Sequence, residues 1–256
     1  MALEIISLVV VAIVSFVFPA AWFGGLLAKN STGKKRIGLL FGIGVLVYVV
    51  MQWGLKEHGL TFLFNNTSFM EFMNQHYIPY LLVIAFVGAV FAILPFVLVV
   101  YIIQKKQMSF VKVLAYGLGY TMAESVLLVG LRGLNTIITY FKDGGELDFT
   151  ATELFLSGYE RILMTLLQMA IFVVVVYMIQ NDMSVGGTLL GVFAHCLLMF
   201  LPGFLIAFSL ENYYEVYDRS VGLLLTYIIL TVAMVCALAI FSAFRPLLKD
   251  CTGKNS

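Results

Sequence analysis

Residues 79–103 read PYLLVIAFVGAVFAILPFVLVVYII, a run with no charged side chain. A helix needs about 20 apolar residues to cross a hydrocarbon core of roughly 30 Å, and this run is longer. In lipid the backbone must satisfy its own hydrogen bonds, so the run is expected to be a membrane-spanning helix. The same reading applies outward in both directions. Runs at about 4–28, 37–55, 113–133, 152–180, 187–209 and 220–244 bring the expected total to seven spans. Pro19, Pro95 and Pro202 fall inside spans, where neighbouring helices can re-satisfy the carbonyls that proline frees. The expected fold is all-α: a polytopic helical membrane protein forming a single domain over 1–256.

Composition agrees. Of 256 residues, 62% are hydrophobic and 11% charged, against about 25% charged in soluble domains. The net charge of +1 implies no strongly charged partner, and no basic stripe points to nucleic acid. Cys196, Cys236 and Cys251 form no CxxC spacing, so no disulfide framework or zinc knuckle is expected. The N-terminus, MALEIISLVV, carries only Glu4 as an early charge. It lacks the basic n-region of a secretory signal, so the first run reads as a retained helix.

Loop charge alternates along the chain. Lys29, Lys34, Lys35 and Arg36 fill the first loop, Lys105, Lys106 and Lys112 the third, and Arg245, Lys249 and Lys254 the tail. The even loops have fewer cations (Lys56, Lys142, Arg219) and hold acids such as Glu57, Glu71, Glu146, Asp148, Glu211 and Glu215. The positive-inside rule then places the N-terminus outside and the C-terminus inside. The expected location is the plasma membrane of a prokaryote. The second loop, around TFLFNNTSFMEFMNQHYIPY, is too apolar for a free linker and is expected to lie at the outer interface or dip back into the protein. Within it Asn65 and Asn66 match the short glycosylation acceptor pattern.

Against this apolar background a few buried polar residues stand out. Glu124 and Arg132 lie in the fourth span, Glu160, Arg161 and Gln168 in the fifth, and His195 in the sixth. A charge at mid-bilayer costs roughly 2.5–3.5 kcal/mol even on the lenient insertion scale, so such groups face the bundle interior and pair there. At about 1.5 Å per residue, Glu124 lies roughly 16 Å deep from the inner end, Gln168 roughly 18 Å and His195 roughly 12 Å. These three can meet at one level near the midplane, with Glu160 and Arg161 closer to the outer face. As neighbours on a helix, Glu160 and Arg161 point about 100° apart, so each is expected to pair with a group on another helix.

Each residue has a bland reading and a functional one. Glu124 is either a structural ion-pair partner of Arg132 or Arg161, or a general base that activates water for attack on a peptide carbonyl. His195 is either an imidazole bonded to a backbone carbonyl, or a donor that holds that water or an oxyanion. Gly117 and Gly119 either let two helices approach closely or make room beside the carboxylate. One histidine with distant carboxylates falls short of the three protein ligands of catalytic zinc, and no HExxH is present, so no metal or other cofactor is expected. No GxSxG surrounds Ser125, and no pair of Asp residues lies within spans.

Three segments, GLGYTMAE (117–124), ERILMTLLQ (160–168) and GVFAHCLLM (191–199), together resemble the YhfC-type family of membrane peptidases. That family is a branch of the glutamic-type intramembrane proteases, which include the CAAX prenyl endopeptidases and bacteriocin-processing proteins. The resemblance covers most of the chain. It implies a seven-span, metal-independent endopeptidase acting on a membrane-embedded peptide or protein, with Glu124, Glu160, Arg161 and His195 at the motif positions. Two positions depart from the pattern. Gln168 stands where a histidine follows the Glu-Arg pair, and Met199 where an acid or amide follows the last histidine. Glutamine can donate to an oxyanion but cannot shuttle a proton. An inactive scaffold or binding protein of the same fold, working with a membrane protein partner, is therefore a second reading. The seven-span scaffold subunit of gamma-secretase is similar in layout. A proton- or ion-coupled transporter is a third, although no inverted repeat is visible.

Overall fold

A computed structural model describes residues 2–30, 33–104, 108–143, 151–208 and 219–248. Glu146, Asp148, Glu211, Glu215, Lys105, Lys106, Lys249, Lys254 and Cys251 lie outside the described residues, as does the side chain of Arg132. Among the described residues every element is helical.

The helices are α1 (Ala2–Lys29), α2 (Lys34–Val47), α3 (Glu57–Phe64), α4 (Thr67–Gln75), α5 (Tyr77–Val99), α6 (Phe110–Ser125), α7 (Leu131–Asp143), α8 (Ala151–Gln180), α9 (Ser184–Ala207) and α10 (Arg219–Phe244). A π-helical segment, Tyr48–Lys56, joins α2 to α3, another, Val126–Gly130, joins α6 to α7, and a third, Val100–Gln104, extends α5. Seven of the resulting continuous helices are long and apolar enough to cross a bilayer. The chain is thus an all-α polytopic helical protein, with a lipid bilayer as its surroundings. Two spans outrun the sequence expectation: Lys34–Phe64 instead of 37–55, and Phe110–Thr139 instead of 113–133. The apolar second loop is itself helical. Asn66 caps α4 by accepting from the Phe69 amide at 3.2 Å, so this amide has a structural task.

α6 lies at the centre, buried along almost its whole length. Its crossing with α2 depends on reciprocal glycines. A methyl group on Gly119 would strike the Phe41 carbonyl, and one on Gly44 would strike the Tyr116 carbonyl. The backbones themselves touch there, as small residues permit in membrane helices. On the other side α6 packs on α8, where Met169 and Phe172 cover Gly117. A tight turn leads from α8 into α9. Asp182 adopts a left-handed φ of 62°, and the Met183 amide donates back to the Met178 carbonyl at 2.9 Å. Asp tolerates that conformation better than most residues. At the end of the bundle where α10 terminates, polar contacts link the segments. The Phe110 amide, which α6 itself cannot satisfy, donates to the Leu248 carbonyl at 2.9 Å, and Gln180 donates to the Met108 carbonyl at 2.7 Å.

Candidate functional site: a polar clasp between α6 and α8

Arg161 and Gln168 are seven residues apart on α8, two helical turns, and so share one face. Glu124 projects from the last turn of α6 between them. The Arg161 guanidinium donates to Glu124 Oε1 at 3.3 Å. The Gln168 Nε2 donates to Glu124 Oε2 at 2.8 Å. Both carboxylate oxygens are therefore engaged by protein donors. The carboxylate, which only accepts, also fixes the orientation of the Gln168 amide, because the flipped amide would set two oxygens against each other.

The second arm of Arg161 donates to Glu160 Oε1 at 3.0 Å. This corrects the expectation that Glu160 must find its partner on another helix. The two Cβ atoms do diverge, but the long arginine stem carries a planar fork of five donors, enough to bridge Glu160 and Glu124 at once. The cluster is graded in depth: side-chain exposure falls from 30% at Glu160 to 13% at Arg161 and 10% at Glu124, and Gln168 is 1% exposed. Its wet end is Glu160.

His195 is equally buried but separate. It belongs to the strip Gly187, Gly191, His195, Met199, spaced one turn apart along α9. A methyl group on Gly187 would strike Met178 of α8, one on Gly191 would strike Val175 of α8, and the Met199 sulfur lies against Gly88 of α5. No hydrogen bond or ion pair links His195 to Glu124 or Gln168, and its Nδ1 is buried without a partner. The Gln168 Oε1 is buried without a partner as well. Of the residues singled out in the sequence, the structure brings Glu124, Glu160, Arg161 and Gln168 into one bonded cluster and leaves His195 outside it.

Three neighbours escaped the sequence reading. Gln52, in the π-helical segment after α2, donates to the Gly88 carbonyl at 2.8 Å and lies in reach of the Tyr120 hydroxyl. Tyr120 stacks edge-on against Tyr48 with ring centroids 5.1 Å apart, and both phenols lie within electrostatic reach of Glu124. Gln52 could have been found: it is an amide inside an apolar span, as Gln168 is. The π-helical segments had no such signal. They flank the cluster, one holding Tyr48 and Gln52 and another beginning two residues after Glu124. Such segments are frequent at functional sites.

Among the described residues no group of three or more His, Cys, Asp or Glu could hold a metal ion. A separate cavity of about 550 Å³ lies between α8, α9 and α10, and none of the cluster residues lines it. No family model, curated protein or solved structure matches the chain.

Proposed function

We propose that the chain is a non-hydrolytic integral membrane protein of the scaffold or binding class, in which Glu124, Arg161, Glu160 and Gln168 act as a polar clasp locking α6 to α8. One observation carries this reading: both Glu124 oxygens already accept from protein donors. A general base needs a lone pair aimed at the water it deprotonates, and here Arg161 and Gln168 each take up one oxygen of the carboxylate, which suits a structural partner better than a base. A clasp of this kind gives the bundle a fixed register around which partner segments in the membrane can assemble. The membrane is that of a prokaryotic cell, with the N-terminus outside. Lys34, Lys35 and Arg36, exposed at the start of α2, support that orientation.

The decisive experiment incubates the purified protein with a library of membrane-spanning peptides. No cleavage is expected from the natural chain, and Glu124→Gln is expected to lower the unfolding midpoint. Cleavage by the natural chain that Glu124→Gln abolishes while the fold is retained would overturn the proposal.

That result would establish the second reading, a glutamic-type intramembrane endopeptidase. The observation in its favour is the pair of buried polar atoms without protein partners, Gln168 Oε1 and His195 Nδ1. Buried polar groups are ordinarily satisfied, and exceptions call for an explanation. In this reading Gln168 swings off Glu124, the carboxylate takes a proton from water as the water oxygen bonds to the peptide carbonyl carbon, and the same proton passes from Glu124 to the amide nitrogen as the C–N bond breaks.

A further inference from the structure

The cavity between α8, α9 and α10 has the dimensions and chemistry of a site for one kind of guest. Its lining runs from Leu190 to Leu205 on α9 and from Thr226 to Ile240 on α10. Fifteen residues of helix span about 22 Å. A volume of about 550 Å³ spread over that length gives a mean cross-section of about 25 Å². A packed helix with side chains is roughly 10–12 Å across, which requires about 80–110 Å². A transmembrane helix is therefore too thick to fill this space. A single polymethylene chain, whose carbons contact neighbours at about 3.5–4.0 Å, is not.

The lining also rejects an extended peptide. A peptide strand in lipid needs a partner for every amide, and the cavity has almost nothing to give. Its one hydroxyl, on Thr226, already donates to the Gly222 carbonyl at 2.8 Å. The remaining lining residues are aliphatic apart from Gly191, Pro202 and the thiol of Cys236. Water gains no hydrogen bonds there, and apolar cavities of this kind stay dry.

We infer that this cavity is an intramembrane groove for one acyl chain of a bilayer phospholipid. The surrounding solvent is the source of the ligand, because only 17% of each apolar window on α9 and α10 is buried within the protein and Leu189, Phe193, Val232 and Val235 on these helices are exposed. On α9 the lining stops two residues before Ala207, whereas on α10 it stops four residues before Phe244, at the opposite face, so the groove runs across the middle of the pair and favours neither leaflet. This inference goes beyond the clasp and stands whether or not the protein cleaves peptides.

The test reconstitutes the full chain in dioleoyl-phosphatidylcholine vesicles, extracts it gently in detergent, and counts retained phospholipid by native mass spectrometry. The natural protein is expected to keep one lipid per chain. Ala194→Phe combined with Ala233→Phe fills the groove and is expected to lose it at an unchanged unfolding midpoint. Where the double variant does not fold, Ala194→Phe alone carries the test. Equal lipid retention by natural and filled proteins would overturn the inference, as would no retention by the natural protein. Oxidative cross-linking of Cys236 between two copies in the vesicle would also overturn it, since a second chain would then cover the groove.

Discussion

The pair α6 and α8 and the pair α9 and α10 all belong to helices long enough to span the membrane but sit in opposite surroundings. The windows containing α6 and α8 are 72% and 67% buried inside the protein, those of α9 and α10 only 17% each. Yet the α6 window is the least apolar of the seven. In a soluble protein the most apolar helix goes to the centre. In a bilayer lipid is as good a solvent for leucine as the protein interior, so apolarity does not rank burial. Polar side chains do, because they cannot face lipid. Glu124 and Gln168 are thus what commits α6 and α8 to the middle, and α9 and α10 are free to line a hydrocarbon-filled groove.

If the clasp centres the bundle, breaking it should cost more than any other single polar change. Arg161→Leu leaves Glu124 buried without its counter-charge and Glu160 without a partner. The expected loss is about 3–5 kcal/mol, the usual cost of leaving one member of a buried ion pair alone. Denaturant titration of the detergent-solubilised protein measures it. Adding Glu124→Gln to that variant should restore much of the loss, since the stranded charge is then gone. By itself Glu124→Gln keeps a neutral acceptor near Gln168 but forfeits the charge-assisted bond, and should cost about 1.5–3 kcal/mol. A loss from Arg161→Leu no greater than that from a lipid-facing substitution on α10 would dissolve the distinction between the two pairs.

The glycine crossing should rank next. Gly119→Ala sets a methyl group against the Phe41 carbonyl, and backbone cannot step aside as a side chain can. A loss of about 1–3 kcal/mol is expected, as for other overpacked sites. Gly38→Ala, on the partner helix α2 with open space around it, is the control. It should stabilise by about 0.5–1 kcal/mol, because alanine is the better helix former. Equal effects would mean that α2 and α6 do not depend on close approach.

Much of this was legible in the sequence. Spans follow from run length, and the close-packing reading of Gly119 needed only a small residue inside a membrane span. Depth arithmetic put Glu124 and Gln168 at one level, and they do bond. The same arithmetic put His195 with them, which the structure does not bear out as a contact. Depth fixes height along a helix but not the direction a side chain points around it. That direction is set in α9 by Gly187 and Gly191 seating the helix on Val175 and Met178, a packing choice no single run of sequence encodes. The bridging role of Arg161 was hidden for a related reason: helical spacing locates Cβ atoms, while a guanidinium acts several bonds further out. Gln52 and the π-helical segments illustrate a third limit, since a local widening of a helix has no compositional mark.

The smallest expected effect separates the two pairs most sharply. His195 and Gln168 are both 1% exposed, and both carry a buried polar atom without a partner. They differ in that Gln168 donates to Glu124 while His195 has no bond to the clasp. Removing a donor from a buried charged acceptor leaves that acceptor under-satisfied, so Gln168→Leu should cost about 1–3 kcal/mol. Replacing an unpaired buried polar group by an apolar one of similar size is nearly neutral or stabilising, so His195→Leu should change stability by less than about 1 kcal/mol. Unfolding curves of the two variants, measured side by side in one detergent, give the comparison. A His195→Leu loss as large as that of Gln168→Leu would mean that the imidazole is held by a polar partner. The clasp would then extend from α8 into α9, and the endopeptidase reading, which needs Glu124 and His195 on one water, would gain the ground that the scaffold reading lost.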